Sequence, residues 1–524
     1  MTHPVQSPAP DQVHTTDTSM TDFRAATTDQ WRAAFLNGDV SAVELATTAL
    51  TAEAAASSLG VFIHADADAA LARASEMDAV REMIVSSARS GAAARLSDLS
   101  AHHPMLGLPT AFKDLVDVAG MPTTLGTAAL PPRIPSQDDA LARRVHAAGA
   151  VSVGKTQVPE FGLPCYSENS LALPSRNPLD RSRTSGGSTG GGAAAVAAGI
   201  LPVAPGNDGG GSIRIPAAAC GLVGLKPGRA RLPDDVQGTE VRNLAVSGPL
   251  AQTAQDAALL FDVMAGHRFR LPETAPPLSR RRRRRAESSG LRADLMLAEG
   301  PAMRTVRRAL DGGLDPLRIG VTTESPFSPD LDVVLEESAV IGLEKGIEAL
   351  RDLGHQVQGT ENRTGRERFW PHGYHQHFKA LWTSRLADVG FTQEQLEKLT
   401  PLTRHFVELA SARAHQDTKE AVRSLQAAAD DAESLVGRWD VLLTPMLAYR
   451  PPLVGWFAGH EPAEDYLQQC LFTPYSSVVN VLGLPAINVP MHADDDGLSW
   501  SVQVIGRQGT EELLLALAAT MMHR

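Results

Sequence analysis

A chain of 524 residues with 43% hydrophobic and 21% charged side chains has the balance of a folded globular protein, which excludes a disordered or fibrous one. Its 48 lysines and arginines stand against 60 acidic residues, and a formal charge of −12 argues against holding nucleic acid by broad phosphate neutralisation. Three cysteines, Cys165, Cys220 and Cys470, make no disulfide framework and suit a reducing compartment, and no run approaches the ~18–20 uninterrupted apolar residues of a membrane span.

Residues 1–21 have neither a basic start nor an apolar run, so they read as a solvated arm rather than a signal peptide, and a cytoplasmic location is expected. Residues 22–59 carry helical patterning, with Ser41 as the N-cap before AVELATTALTAEAA. A strand is expected within 61–68, followed by an alanine-rich helical stretch to about Ser100. From Gly107 the texture changes. GLPTAFKDLVDV and AGAVSVGKT read as strand segments, the second after an amphipathic helix around 138–148. Residues 185–228 are the most glycine-dense part, with two glycine-rich turns flanking AAAVAAGILPVAP. Apolar strands or short helices recur at LRIGV, DVLLTP and LPAINVP. This alternation points to a layered α/β fold with a mostly buried sheet. Residues 267–302 interrupt it with several prolines and the run Arg280 to Arg285, which reads as a solvated insertion rather than a polyanion site, since no aromatic residues interleave it.

Two motifs point the wrong way. Residues 149–156, GAVSVGKT, satisfy a phosphate-loop pattern, but AVSV is itself strand-like, and Pro159 restricts the helix that the motif needs after its lysine. A buried strand ending in a turn is the better reading. His372, His375 and His377 suggest metal by their closeness, yet offsets of three and five do not put all three on one helical face. They read as surface or pocket-lining histidines.

The informative segment is the pair of turns, Ser185-Gly186-Gly187-Ser188-Thr189-Gly190-Gly191-Gly192 and Gly206-Asn207-Asp208-Gly209-Gly210-Gly211-Ser212-Ile213-Arg214-Ile215-Pro216. Glycine permits close backbone approach, and consecutive N–H groups in such turns can converge on an anion. A serine nucleophile also needs a base. No histidine–aspartate pair stands out and the G-x-S-x-G elbow is absent, which leaves a lysine held neutral by burial as an option. Lys113, in LPTAFKDLVDV, is the natural candidate; taken alone it reads better as a salt-bridged strand-end lysine.

Gly107 to Pro233 resembles the amidase signature family of serine hydrolases. GLPTAFKDLVDVAGMPTTLGT is similar to that family's lysine segment, GKTQVPEFG to its following strand and turn, and SRNPLDRSRTSGGSTGGGAAAVAAG with DGGGSIRIPAAACGLVGLKPGRARLP to its signature. The offsets, 75 from Lys113 to Ser188 and 24 from Ser188 to Ser212, are also similar. EKGIEALRDLGHQV, WDVLLTP and PYSSVVNVLGLPAINVP extend the likeness over most of 22–522.

The resemblance implies one α/β/α catalytic domain over 22–522 around a large twisted mixed sheet. It implies a Ser–cisSer–Lys triad with Ser212 as nucleophile, Ser188 as bridging serine after a cis Gly187–Ser188 bond, and Lys113 as neutral base. Gly209, Gly210, Gly211 and Ser212 would form the oxyanion hole, oriented by Asp208 and Arg214. Bulky residues at Gly210 or Gly211 would distort that turn. No metal or organic cofactor is needed, the partner is a small-molecule amide, and a homodimer is admissible. Two departures matter: Thr189 replaces the usual serine, and Asn207-Asp208-Gly209-Gly210-Gly211-Ser212 replaces Thr-Asp-x-Gly-Gly-Ser. The third glycine, also similar to the loop of the nylon-oligomer hydrolases, is expected to widen the acyl pocket and favours a linear, bulky or aryl amide. Trp370, Tyr374, Phe378, Trp382, Trp456, Phe457 and Phe472 are candidate walls, some of them ordinary core. Ester or carbamate cleavage by the same triad, a glutamyl-tRNA amidotransferase subunit and a dead binding protein are the competing readings. The last would need a broken triad.

Overall fold

The computed structural model describes residues 22–87, 92–233, 240–272, 295–360 and 370–523. The arm 1–21 and the run Arg280 to Arg285 lie outside them. The ends of the insertion meet: Arg270 N–H donates to Glu299 O at 3.1 Å and Glu299 N–H returns to Arg270 O at 3.0 Å.

Local chemistry sets the first elements. Ser41 caps the helix Ala42–Ala55 as expected, its hydroxyl accepting from Glu44 N–H while the Glu44 carboxylate accepts from Ser41 N–H. The alanine-rich stretch forms two helices, Ala67–Ser87 and Ala92–His102. The strands are β1 (Phe62–Ala65), β2 (Pro109–Lys113), β3 (Val151–Thr156), β4 (Val203–Asp208), β5 (Val223–Lys226), β6 (Val246–Ala251), β7 (Arg318–Val321), β8 (Gln356–Gly359), β9 (Val441–Pro445), β10 (Ala486–Ala493) and β11 (Ser499–Gly506). They form a three-stranded sheet, β1-β3-β2, and a mixed eight-stranded sheet, β4-β6-β5-β10-β11-β9-β7-β8.

Strand alternation shows the layering. Along β11, Val502 faces the helix Glu337–Asp352, where a Cβ on Gly346 would stand 2.9 Å from Val502 Cγ1. The next residue, Gln503, points the opposite way and accepts from Arg214 of the helix Arg214–Cys220. Helices therefore cover both faces, the α/β/α arrangement expected. A second, aromatic-rich cluster containing Phe327, Phe378, Trp382, Phe406 and Tyr466 reaches the sheet at Leu442, Ala486 and Ile505. Among the described residues no helix is long and apolar enough to cross a membrane.

The first glycine segment differs from a simple turn. Gly190, Gly191 and Gly192 open the helix Gly190–Ala197, where glycine is a poor helix former. Packing explains it: a Cβ on Gly191 would lie 2.5 Å from Val61 O and 2.6 Å from Gln157 N. Gly→Ala in an open helix interior gains about 1 kcal/mol. Gly191→Ala is expected instead to lose about 1–3 kcal/mol through overpacking. Urea denaturation checks the sign, with Gly359→Ala, which meets nothing within 4 Å, expected to stay within ~0.5 kcal/mol.

Candidate active site

Lys113 ends β2, with Thr156 of β3 as its partner across the parallel ladder. β2 also runs beside β4 of the other sheet. Thr110 Oγ1 donates to Val203 O at 3.1 Å, and further along Lys113 reaches Asn207. Its Nζ lies 2.8 Å from Ser188 Oγ, 2.6 Å from Asn207 Oδ1 and 3.3 Å from Asn207 O. The lysine is fully buried, and none of these partners is a carboxylate. Burial pushes the amine down to about 7, against a smaller opposing pull from Asp208.

Ser188 is reached through a crowded passage. A Cβ on Gly187 would stand 2.7 Å from Tyr166 N, and one on Gly190 2.3 Å from Ser167 Oγ. The Gly187–Ser188 peptide is cis. Thr189 N–H donates to Ser212 O at 3.1 Å, tying the first glycine segment to the second. Lys113 at the end of β2, Ser188 just before the helix Gly190–Ala197 and Ser212 in the second turn are thereby drawn to one region, with Lys113 in contact with Ser188. Ser212, 7% exposed, is the least buried of them.

The second turn is held from behind. Asp208 is fully buried, and its carboxylate accepts from Gly211 N–H at 2.7 Å, Ile213 N–H at 3.1 Å, Arg214 Nη2 at 2.9 Å and Asn480 Nδ2 at 2.9 Å. Burial alone would raise this carboxyl; the Arg214 charge and these hydrogen bonds outweigh it and hold the group far below the usual range. Arg214, also buried, donates to Ser476 O at 3.0 Å, Gln503 Oε1 at 2.5 Å and Asn480 Oδ1 at 2.6 Å. Among the described residues, the N–H groups of Gly209, Gly210 and Ser212 donate to no protein acceptor. Gly211 differs, because Asp208 already takes its N–H.

The glycines of the turn are not equivalent. Gly211 has φ +126, and a Cβ there would meet Ile215 Cδ1 at 2.6 Å and Ser476 Cβ at 2.7 Å. On Gly210 or Gly209 it would make only ordinary contact with the Trp382 ring, at 3.5 and 3.7 Å. A first side-chain carbon is therefore excluded at Gly211 and accommodated at Gly210, while the expectation for bulky residues concerns the atoms beyond it. Trp382 borders the space that a residue-209 side chain would enter.

A cavity of about 50 Å³ opens beside Ser212 and Gly210, walled by Leu163, Ile215, Phe327, Phe378, Trp382 and Tyr466. The helix Tyr374–Thr383 places Tyr374, Phe378 and Trp382 on one face at four-residue spacing, and the three rings stack in sequence. Arg385 lies 5.3 Å over the Trp382 ring. Of the expected aromatics, Phe378 and Trp382 line this cavity. Tyr374 supports them, with its hydroxyl bonded to Ser477 at 2.8 Å. Trp370 is spent on Glu324 O. Phe457 and Phe472 are core, and Trp456 is 37% exposed.

The misleading motifs resolve physically. Residues 151–156 are strand β3, and Lys155 is buried against Asp114 Oδ1 at 3.0 Å and Thr123 Oγ1 at 2.9 Å. His372 is exposed, while His375 is buried edge-on to Phe327. Sequence reasoning missed the side-chain contact of Asn207 with Lys113 and the support from Asn480 and Gln503. The first was marked by a departure from the usual motif; the others lie nearly 300 residues from the turn and carry no local signal.

The family model described as Amidase matches residues 51–515. AmiB2 of Mycobacterium tuberculosis is 35% identical over 433 residues, covering 82% of this chain and 85% of that protein. AmiC of Mycobacterium leprae is 33% identical over 430 residues, covering 79% and 81%. A solved structure of 6-aminohexanoate cyclic dimer hydrolase complexed with substrate superposes with a TM-score of 0.74 at 26% identity, covering 95% of this chain and 96% of that one. A bacterial aryl acylamidase structure, at 20% identity and TM-score 0.72, covers 96% and 97% and shares the fold. With the fold, the matched family and these relatives in agreement, the chain belongs to the amidase signature family and is an amidase, a hydrolase of amide carbon–nitrogen bonds.

Proposed function

We propose that the chain cleaves linear amides through an acyl-enzyme, with Ser212 as nucleophile, Ser188 as proton bridge and Lys113 as base. The observation that carries this reading is the buried Lys113 amine, 2.8 Å from Ser188 Oγ and without a carboxylate partner. Ser212 Oγ attacks the carbonyl carbon as its proton passes to Ser188 and the Ser188 proton passes to Lys113 Nζ. The relay reverses to protonate the nitrogen as the C–N bond breaks and the amine leaves. Water then attacks the acyl-enzyme with help from the same base, restoring Ser212. N–H groups of Gly209, Gly210 and Ser212 would meet the developing oxyanion, each donor in such a site being worth about 2.7–4 kcal/mol. Gly211 drops out of that set, because its N–H already bonds Asp208. Asp208 and Arg214 would orient the turn, since breaking a buried pair typically costs about 3–5 kcal/mol.

The cavity beside Ser212, lined by rings and by the polar Gln469, Thr473 and Ser477, supports a small acyl group; at about 50 Å³ it holds a short chain more readily than a ring. A bulky or aryl group then belongs on the amine side, as in an anilide. The chemistry uses neither metal nor organic cofactor.

The test is hydrolysis of a panel of anilides, primary amides, carbamates and aryl esters by the purified chain. Amide cleavage should persist with chelator and fall at least ~10³-fold in Ser212→Ala and Lys113→Ala. An unchanged Ser212→Ala rate would overturn the nucleophile assignment, and faster carbamate than amide turnover would favour the urethanase reading.

The base also sets a pH dependence. Lys113 must be neutral and its amine sits at about 7, so kcat/KM should rise about tenfold per pH unit below 7 and level off above it. A pH–rate profile on an anilide measures this limb.

Pocket size makes a separate prediction. Trp382→Ala should shift preference from short acyl anilides toward bulky or aryl acyl groups by about tenfold or more in relative kcat/KM, read from an acyl-length series.

A further inference from the structure

A neutral amine has two hydrogens and one lone pair, so its neighbours decide where the lone pair points. Around Lys113 Nζ stand three oxygens. Asn207 Oδ1 at 2.6 Å and Asn207 O at 3.3 Å are carbonyl oxygens, which only accept. Ser188 Oγ at 2.8 Å is the one that can donate. Both amine hydrogens are therefore drawn to Asn207, and the lone pair faces the Ser188 hydroxyl. Turning the amide over would offer Nδ2–H to the amine and consume that lone pair.

We propose that Asn207 is a positioning residue of the proton relay, taking both hydrogens of the neutral Lys113 amine and aiming its lone pair at Ser188. This rests on the reading of Lys113 as base. The same arrangement suits the protonated state. When Lys113 gains the Ser188 proton, two of its three N–H bonds still point at Asn207, and the third points back at Ser188, ready for return to the leaving amine. No group has to turn between the two halves of the cycle. The threonine that the family resemblance leads one to expect here carries a hydroxyl, which donates as well as accepts and imposes no such direction.

The charged groups around the amine are already committed. Asp208, at the end of β4, is held by Arg214, and Asp114, beside β2, is paired with Lys155 of β3. A carboxylate introduced at 207 would thus be the first anion in direct contact with Lys113.

The experiment follows phosphonylation of Ser212 by a fluorophosphonate probe, in which the serine oxygen displaces fluoride and its proton enters the relay. The inactivation rate constant is measured from pH 5 to 10 for the parent, Asn207→Asp, Asn207→Leu, Lys113→Ala and Ser212→Ala, with thermal unfolding of each. In Asn207→Asp the new anion stabilises the ammonium. The acid limb should move up by about one pH unit or more, with a loss of about tenfold near pH 7 and recovery near pH 10. Recovery at high pH also shows that the variant is folded. Asn207→Leu removes the side-chain acceptor, so its plateau should fall about tenfold or more with no upward movement of the limb. An unmoved limb in Asn207→Asp, or a parental plateau in Asn207→Leu, overturns the assignment of Asn207 while Lys113→Ala remains unreactive. Parental labelling of Lys113→Ala, or no labelling of the parent, overturns the base reading and this inference with it.

Discussion

Taking a lysine amine out of water is costly in its charged form unless a carboxylate receives it, so an amine buried without one tends to give up its proton. Two neighbouring strands resolve this in opposite ways. Lys155 of β3 is buried but paired with Asp114 at 3.0 Å. Lys113 of β2 meets a serine hydroxyl and two amide oxygens instead. The ladder explains how they avoid each other. Lys155 stands opposite Phe112 and Lys113 opposite Thr156, so the two lysines project to opposite faces. The polar groups of Asp114 are thus used up on the far side.

The second constraint is the seam between the sheets. Lys113 belongs to the three-stranded sheet, while Asn207 and Asp208 belong to β4 at the edge of the eight-stranded sheet. Ser188 sits between them, threaded past Tyr166 and Ser167 where no side chain fits. Backbone close approach brings the groups within reach, and a buried ionic cluster behind the second turn keeps them there. On the proposed mechanism the donors of the turn are fixed before any substrate arrives, the condition under which such groups stabilise charge most effectively.

Much of this was legible in the sequence, for different physical reasons. Capping at Ser41 and the strands at 109–113 and 151–156 follow from local chemistry and alternation. The phosphate-loop likeness of 149–156 was separable because Pro159 denies the motif its helix. The candidate site residues were singled out through spacing and resemblance, since Lys113 alone gives no sign of whether an acid faces it. Three things were hidden. The helical start at Gly190 depends on the carbonyl of Val61, far away in sequence. The withdrawal of Gly211 from the free donors depends on where the Asp208 carboxylate turns. The room left by the third glycine depends on Trp382, which belongs to another helix.

The unequal glycines of the turn bear on how such an enzyme can diverge. At Gly211 the backbone conformation and the walls formed by Ile215 and Ser476 leave no freedom. At Gly209 and Gly210 a first side-chain carbon makes only ordinary contacts, with the Trp382 ring and with Ala245 or Phe378. Gly210 borders the cavity, yet what either position lends to the proposed chemistry is a backbone N–H that every residue except proline supplies. A single substitution there can reshape what the cavity admits while Lys113, Ser188 and Ser212 stay untouched. On the proposed mechanism, selectivity and reactivity are encoded by different atoms of the same residues, so one can drift or be redesigned without surrendering the other.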